Sequence, residues 1–310
     1  MIRYTLKQLQ YFIAIADAGS LSGAAVTCHI SQAAISQALS ELEREVGAQL
    51  VVRHRARGVV LTAMGQRFLQ DARSLIRHAE DVQTSASERQ NELSGPLVIG
   101  CYTSLSAFWL PVIGERFIRP HPGLDVEIIE GDGAALQKRM LDGYIDAVLT
   151  HTRHLLPDVE STQIMTGRPY VLVAAEHPLA NRGSVKLSDL AEEDFVQLDL
   201  PTVRDNQLVN LRMSGLDPQV KWKSSSFEAV RGMVARGLGY TVLVQRPPVN
   251  VSYDGLPLAV VEIEGEVGHS DICVATSPAH RQSHRLSAFI DFCVATGAEK
   301  ERNAAPATPR

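Results

Sequence analysis

The chain has 310 residues, of which 45% are hydrophobic, 21% charged and 5% aromatic. This composition is typical of folded globular proteins and excludes disorder over most of the chain, and the length favours about two domains. Every apolar run is shorter than the roughly 18 residues of a transmembrane helix, and the N-terminus lacks the apolar core of a secretory signal. We therefore expect a cytoplasmic protein that does not enter a membrane.

The net charge of −5 is unevenly distributed along the chain. Residues 1–60 carry six Lys/Arg and four Asp/Glu, a net of +2, whereas residues 94–310 carry 20 and 26, a net of −6. Three of the basic residues fall within five positions, at Arg53, Arg55 and Arg57. Such a cluster can bind phosphates even on an acidic protein, because the contact depends on the local field. The overall acidity therefore does not exclude a nucleic-acid partner.

The first fifty residues predict three helices separated by short turns. Thr5 and Gln8 have the form of a capping box before a helix that ends at Gly19. Ser22 can cap a short second helix, and Ser31 a third that runs from residue 32 to about residue 46. This order of helices is typical of a helix-turn-helix.

A wing and a recognition face complete this predicted domain. Two β-type runs, 50–52 and 59–61, flank a turn at 53–58, which predicts a hairpin with a basic tip that meets backbone phosphates or the minor groove. The outer face of the third helix has short uncharged side chains suited to base edges in the major groove. A solvated amphipathic helix would give the same face, and the surrounding helix-turn-helix pattern favours the DNA-binding interpretation.

A series of short motifs follows one after another through the first sixty or so residues, without gaps. The motifs are Leu9–Phe12, Gly19–Ser20, Ala24–Ala25, His29–Ser36, Leu42–Glu43, Gly47, Leu50–Val51, Arg53 and Leu61–Gly65. Together they resemble the LysR-type transcriptional regulators. The resemblance implies base contacts from Gln32, Ala33, Ser36 and Gln37, and phosphate contacts from Ser31, Arg53, Arg55 and Arg57. Ala33 departs from the proline that many members of the family have there.

A long helix is predicted after Thr62, ending near 94–96. Its apolar residues recur every 3.5 positions, the period of a two-helix seam. They are Phe68, Ala72, Leu75, Ala79 and Val82. A single amphipathic helix packed on its own domain would give the same pattern, whereas the resemblance implies an antiparallel dimerisation helix. About 32 residues of helix would be roughly 48 Å long.

From Pro96 onward, strands and helices alternate, which predicts parallel α/β structure. In the first block the predicted strands are 97–100, 125–129 and 145–149, and the predicted helices are 107–120 and 134–143. In the second block the strands are 170–174, 195–198, 220–222 and 240–243, with helices near 186–190, 205–214 and 227–236. The chain then returns with a strand at 271–275 and a helix near 280–295.

Two such lobes, between which the chain passes twice (the two crossings), resemble the periplasmic-binding-protein-like effector domain of the same family. The expected fold class is therefore multidomain, with an α head and an α/β body. The expected segments are a winged helix-turn-helix at 1–61, a linker helix at 62–94, an effector domain at 95–298 and a disordered tail at 299–310. Lobe one would comprise 95–168 and 271–298, and lobe two 169–270.

A ligand in this fold binds between the lobes, near the carboxyl ends of strands and the starts of helices. Hydroxyls and free backbone N–H groups at such positions favour an anion. The candidates are Thr103, Ser104, Gly131, Thr150, His151, Leu200, Pro201, Thr202 and Phe227. Arg204 could clamp a carboxylate, although a surface arginine is an equally good interpretation.

Other function classes find less support in the sequence. No hydrolase, P-loop or dinucleotide motif occurs, so we expect no enzyme, and the four cysteines form no Cys-x-x-Cys pair, so we expect no metal or cofactor. A solute-binding protein would explain the lobes but not the head. A thiol redox sensor stays open as an alternative, with Cys101 as its candidate thiol.

The sequence as a whole therefore predicts a homo-oligomeric regulator. We expect a dimer or tetramer that binds double-stranded DNA at an interrupted dyad-symmetric operator. We also expect a small effector, anionic in charge, between the lobes, and a contact with RNA polymerase.

Overall fold

The computed structural model describes residues 3–54, 58–87, 93–265, 267–278 and 283–304. The helices are α1 (Leu6–Ala18), α2 (Leu21–Thr27), α3 (Gln32–Val46), α4 (Ala63–Ser87), α5 (Thr103–Ile113), α6 (Gly133–Leu141), α7 (Pro201–Met213), α8 (Phe227–Ala235) and α9 (His284–Ala304). The strands are β1 (Val51–His54), β2 (Gly58–Leu61), β3 (Gly95–Tyr102), β4 (Leu124–Gly131), β5 (Ala147–His151), β6 (Glu160–Gly167), β7 (Tyr170–Ala174), β8 (Ser184–Val185), β9 (Asp194–Leu198), β10 (Gln219–Ser224), β11 (Thr241–Leu243), β12 (Leu258–Ile263) and β13 (Ser270–Thr276).

The N-terminal head has the predicted helices, with one different cap. The capping box of α1 is formed, because the Gln8 backbone N donates to Thr5 Oγ1 at 3.2 Å and the Thr5 N donates to Gln8 Oε1 at 2.9 Å. For α2 the expected cap at Ser22 is wrong. The helix begins directly after the left-handed Gly19, so Ser20 is its N-cap and accepts from Gly23 N at 3.1 Å.

The wing is an antiparallel hairpin attached to the first helix. In β1 and β2, Val51 pairs with Leu61. The Val59 backbone N donates to the Gly19 carbonyl at 2.8 Å. Gly58 has a φ of 72°, and a Cβ there would lie 2.4 Å from the Gly19 carbonyl oxygen, so only glycine allows this approach. The end of α1 therefore fixes the position of the wing.

The linker helix α4 begins as part of the head. Thr62 caps it, accepting from the Gly65 N at 2.9 Å, and Leu69 and Ala72 are buried with the residues of α1 and α3. The helix is described to Ser87, and 88–92 lie outside the described residues.

The body contains the predicted α/β lobes, with additional strands. Lobe one has a five-stranded sheet in the order β4-β3-β5-β13-β6, in which β3 is parallel to β4 and β5, and β13 is antiparallel to its neighbours. Lobe two has a four-stranded sheet in the order β11-β7-β12-β8 and the parallel pair β10-β9. The sequence did not predict β6, β8 and β12. In β6 the first four residues are exposed and Ile164 is buried, so the strand lacks a long apolar run.

The chain passes from one sheet to the other between Gly167 and Tyr170, and it returns between Ile263 and Ser270. These two crossings pack closely, because a Cβ on Gly167 would lie 2.6 Å from the Ser270 carbonyl oxygen. Both connections therefore lie in one region between the lobes.

The C-terminal helix is longer than predicted. It starts at His284 rather than near residue 280 and extends to Ala304, so the expectation of disorder from Glu299 is wrong for 299–304. Glu299 pairs with Arg116 at 2.7 Å, and Lys300 Nζ donates to the Phe108 carbonyl at 3.0 Å. These contacts hold the last turns against lobe one, and 305–310 lie outside the described residues. Across the described ranges, we find no helix with the length and apolar character needed to cross a bilayer.

Candidate nucleic-acid interface and ligand cavity

The predicted recognition residues lie on the exposed side of α3. Ser31 caps the helix, accepting from the Ala34 N at 3.2 Å, and Ile35 and Leu39 bury its opposite face. The next residues, Gln32 and Ala33, are exposed, as is Gln37 one turn later, while Ser36 is half-buried. The N-terminal turns of α3 thus present uncharged side chains beside a helix N-terminus, which carries partial positive charge.

A contact between the wing and α3 extends this surface. Arg53, exposed on β1, donates from Nη2 to Ser36 Oγ at 3.0 Å. Arg55 and Arg57, the other predicted phosphate contacts, lie outside the described residues. The guanidinium of Arg53 therefore lies next to the face of α3 that is predicted to contact bases.

Two acidic residues of α3 hold the head together. Glu43 Oε1 accepts from the backbone N–H groups of Leu50 at 2.8 Å and Val51 at 3.1 Å, which fixes the start of the wing against α3. Glu41 accepts from Gln37 at 3.0 Å and from Gln8 at 3.3 Å. Both carboxylates position the recognition helix relative to its neighbours.

The predicted seam residues of α4 divide into two groups. Phe68 packs against the rings of Phe12 at 5.6 Å and Tyr4 at 6.1 Å, and Ala72 is only 2% exposed, so both serve the core of their own head. Their expected place in an interface between helices stays a prediction, since Ala72 is covered by its own head and Phe68 is half-buried there. Leu75 is 38% exposed and Val82 57% exposed, while Ala79 is half-buried. These three are the more exposed of the predicted contacts with a second chain.

A cavity of about 720 Å³, including its open mouth, lies between the lobes. Both lobes and both crossings contribute to its wall. The lining residues are Ser104, His151, Pro169, Leu198, Val203, Gln207, Asn210, Leu211, Phe227, Val242, Leu243, Val244, Gln245, Val267 and Ser270. Three of the predicted effector contacts, Ser104, His151 and Phe227, are among them.

His151 bridges two hydroxyls of this cavity. Its Nδ1 is 3.0 Å from Ser270 Oγ, and its Nε2 is 3.3 Å from Ser104 Oγ. Burial, followed by the nearby charge of His154, lowers the pKa of His151 to about 4. The ring is therefore neutral near pH 7, with one nitrogen donating and the other accepting.

Among the other predicted effector contacts, those whose side chains are described do not line the cavity. Thr103 is exposed and donates from Oγ1 to the Gly131 carbonyl at 3.2 Å, so these two residues interact with each other. Thr150 is buried and faces α6, where a Cβ on Gly133 would lie 3.2 Å from its Oγ1. Successive residues of a strand point to opposite sides of a sheet, so Thr150 points away from the side on which His151 lines the cavity. Leu200 packs in the core of lobe two and Pro201 is exposed at the first turn of α7. Thr202 belongs to α7, but its side chain lies outside the description.

Sequence reasoning missed four polar residues of the cavity. Gln207 and Asn210 project from α7, Gln245 follows β11, and Ser270 begins β13. Gln245 and Ser270 lie at the ends of strands, where the rule used for the other candidates could have found them. Arg204, the suggested carboxylate clamp, pairs with Asp199 at 3.4 Å and does not line the cavity.

The thiols of the body are buried. Cys101, Cys273 and Cys293 are fully buried, and Cys28 in the head is half-buried. Burial raises the pKa of Cys101 and of Cys273 to about 12, and it also raises the pKa of Cys293. The thiolate is the form that reacts with peroxide, so the expectation that Cys101 is the candidate reactive thiol finds no support in its environment.

Two family models together match most of the chain. The model described as "Bacterial regulatory helix-turn-helix protein, lysR family" matches residues 6–66. The model described as "LysR substrate binding domain" matches residues 90–298. The chain therefore belongs to the LysR family of bacterial DNA-binding transcriptional regulators, with an N-terminal helix-turn-helix and a two-lobed effector-binding domain.

Individual relatives agree with this assignment. The hydrogen peroxide-inducible genes activator of Pectobacterium carotovorum subsp. carotovorum is 30% identical over 240 residues, which cover 77% of this chain and 79% of that protein. The crystal structure of HinK, a LysR family regulator from Pseudomonas aeruginosa, is 30% identical with a TM-score of 0.63, covering 95% of this chain and 99% of HinK. Full-length CbnR in complex with its target DNA has the same fold, at 22% identity and a TM-score of 0.54, covering 95% of this chain and 99% of CbnR.

Proposed function

We propose that this regulator reads DNA with the N-terminal turns of α3 and that a small molecule between the two lobes controls it. The observation that carries the proposal is the pairing of Arg53 with Ser36, which joins the wing to the exposed, uncharged face of α3. A surface that combines hydrogen-bonding side chains with a cation suits base edges and phosphates together. The cavity shared by both lobes supplies a place where a ligand can favour one arrangement of the lobes.

The mode of DNA binding follows from the same elements. Gln32, Ala33, Ser36 and Gln37 would contact bases, and Ser31 with the wing arginines would contact phosphates. Leu75, Ala79 and Val82 of α4 would pair two chains, so that two heads bind an interrupted dyad-symmetric operator, with a tetramer as the larger assembly. A regulator of this kind acts in the cytoplasm, contacts RNA polymerase and carries out no catalysis.

An unbiased selection of DNA sequences tests this function. Full-length protein is incubated with a random pool of duplexes, and bound DNA is recovered, amplified and sequenced over several rounds. We expect enrichment of two inverted half-sites separated by a spacer, since a symmetric pair of heads prefers symmetric DNA. A pool that stays random, or one that enriches a single half-site without symmetry, would contradict the proposal.

A further inference from the structure

We propose that the ligand of the cavity between the lobes is an uncharged, largely apolar molecule that carries both a hydrogen-bond acceptor and a donor, as a carboxamide does. This inference rests on the proposed function, because it names the chemical class of the effector. It replaces the anion that the sequence alone favoured.

The wall of the cavity is mostly hydrocarbon. Leu198, Val203, Leu211, Val242 and Leu243 all come from lobe two and line one side of it. Among the residues whose side chains are described, none that lines the cavity is charged. Moving a charged ligand from water to such a surface is costly unless an opposite charge meets it.

Three arginines near this cavity have partners. Arg204 pairs with Asp199 at 3.4 Å, and Arg153 Nη1 donates to Asn210 Oδ1 at 2.9 Å. Arg231 lies beside the Phe227 ring, with its guanidinium carbon 5.9 Å from the ring centroid, and pairs with Glu228 at 2.9 Å. None of these three arginines lines the cavity.

Two amide groups of the wall have unused hydrogen-bonding atoms. Gln245 is 7% exposed, and its Nε2 has no partner. Gln207 donates from Nε2 to the Val242 carbonyl, which leaves its buried Oε1 without a partner. Buried polar atoms are normally hydrogen-bonded, so an unpaired donor and an unpaired acceptor in one cavity point to a ligand that supplies both complements.

The remaining polar groups are also neutral. His151 is held between the hydroxyls of Ser104 and Ser270, and it is uncharged near pH 7. These groups can donate to or accept from a neutral ligand without the charge that would select a carboxylate. The cavity therefore combines apolar walls with a neutral polar patch, which suits a carboxamide or lactam on an apolar ring.

Matched pairs of probes test this class directly. Isothermal titration of the full-length protein at pH 7.5 would compare benzamide with benzoate, nicotinamide with nicotinate, and indole-3-acetamide with indole-3-acetate. We expect at least one amide to bind, with a dissociation constant at least tenfold below that of its carboxylate. Tighter or equal binding of the carboxylates, or the binding of no amide, would overturn the proposal.

Substitutions at Gln245 locate the binding. Gln245→Leu should weaken the bound amide at least tenfold, whereas Gln10→Leu, on the exposed side of α1, should leave its affinity unchanged. Gln245→Glu keeps the shape of the side chain and should bind the cation benzylammonium in preference to the amide. Binding of benzylammonium would show that this variant is folded, so the test does not depend on the folding of Gln245→Leu. Unchanged amide affinity in both Gln245 variants would overturn the proposal.

The failure of this inference and the failure of the proposed function have different signs. Amide binding is measured without DNA, so a DNA selection that leaves the pool random would contradict the regulatory function and not the ligand class.

Discussion

The Arg73 guanidinium of α4 lies 3.2 Å over the ring centroid of Tyr144, a residue of lobe one. Arg73 is only 6% exposed; it pairs with Asp17 of α1 and donates to the Asp142 carbonyl at 2.9 Å. The Tyr144 hydroxyl in turn donates to Asp17 Oδ1 at 2.9 Å. One cluster therefore joins the head, the linker helix and the effector domain.

A second turn of α4 extends this cluster. Arg77 Nη1 donates to the Gly143 carbonyl at 2.7 Å and lies 3.3 Å from Asp146 Oδ1. The other carboxylate oxygen of Asp146 accepts from Val98 N on β3 at 2.7 Å. The segment that links α6 to β5 is thus bonded both to the linker and to the sheet of lobe one.

Replacing Arg73 should loosen this junction. Arg73→Ala leaves the Asp17 carboxylate and the Asp142 carbonyl without their donor, and we expect a loss of about 1–3 kcal/mol in the free energy of unfolding of the head. Urea titration followed by far-UV circular dichroism would measure it. Arg44→Ala removes the pair that this exposed arginine forms with half-buried Glu45 and serves as the control, with an expected change below about 0.5 kcal/mol. Equal effects of the two substitutions would contradict the role of the junction.

Replacing Arg53 should weaken DNA binding in a sequence-independent way. Loss of one phosphate contact should lower specific and non-specific affinity together and reduce the magnitude of the salt slope by about one. Arg55→Ala and Arg57→Ala should act in the same way. Fluorescence anisotropy at several salt concentrations would measure the slopes, with the exposed lobe-two residue Arg182 as the control site. A salt slope unchanged in Arg53→Ala would show that this guanidinium meets no phosphate.

The neutral state of His151 should make stability depend on pH. Its pKa is lowered from 6.5 to about 4, chiefly by burial, so between these values the unfolded chain binds more protons than the folded one. The free energy of unfolding should therefore fall as the pH falls through this window, by about 2–3 kcal/mol between pH 7.5 and 4.5. His151→Gln should lose this part of the dependence, measured by urea titration at both pH values. The same pH dependence in the variant would contradict the assignment.

Peroxide should leave the thiols of the body unmodified. Because burial keeps Cys101 protonated, with its pKa raised to about 12, mild hydrogen peroxide should produce no sulfenic acid there in the folded protein. Mass spectrometry of peptides after thiol trapping would measure this. The same treatment in urea, where Cys101, Cys273 and Cys293 become accessible, provides the positive control. Modification of Cys101 in the folded state would instead favour a redox sensor.

Features encoded by nearby residues were predictable from the sequence. The capping box at Thr5 and Gln8, the start of α3 at Ser31 and the wing hairpin depend on residues close to one another in the chain, and each forms as expected. The β6 strand was missed, because its exposed polar residues are held by pairing with β13, which lies a hundred residues further along.

The cavity was predictable only in part. Ser104 and His151 follow from the rule that ligands bind at strand ends and helix starts, a rule that needs only the order of the elements. To place Gln207 in the cavity, one must know which face of α7 lines it. To place Phe68 against the core of the head, one must know that the head packs on the start of α4. Both are properties of packing between distant segments, which periodicity within one segment does not encode.

Footprinting of the selected operator tests the central claim, that the start of α3 reads bases, most directly. DNase I protection would be compared for wild-type protein, Gln32→Ala and the control Gln10→Ala, at equal concentration and salt. We expect wild type and Gln10→Ala to protect both half-sites, and Gln32→Ala to lose this protection while keeping its affinity for random DNA, since a base contact adds about 1–3 kcal/mol of discrimination. An unchanged footprint for Gln32→Ala would contradict the account.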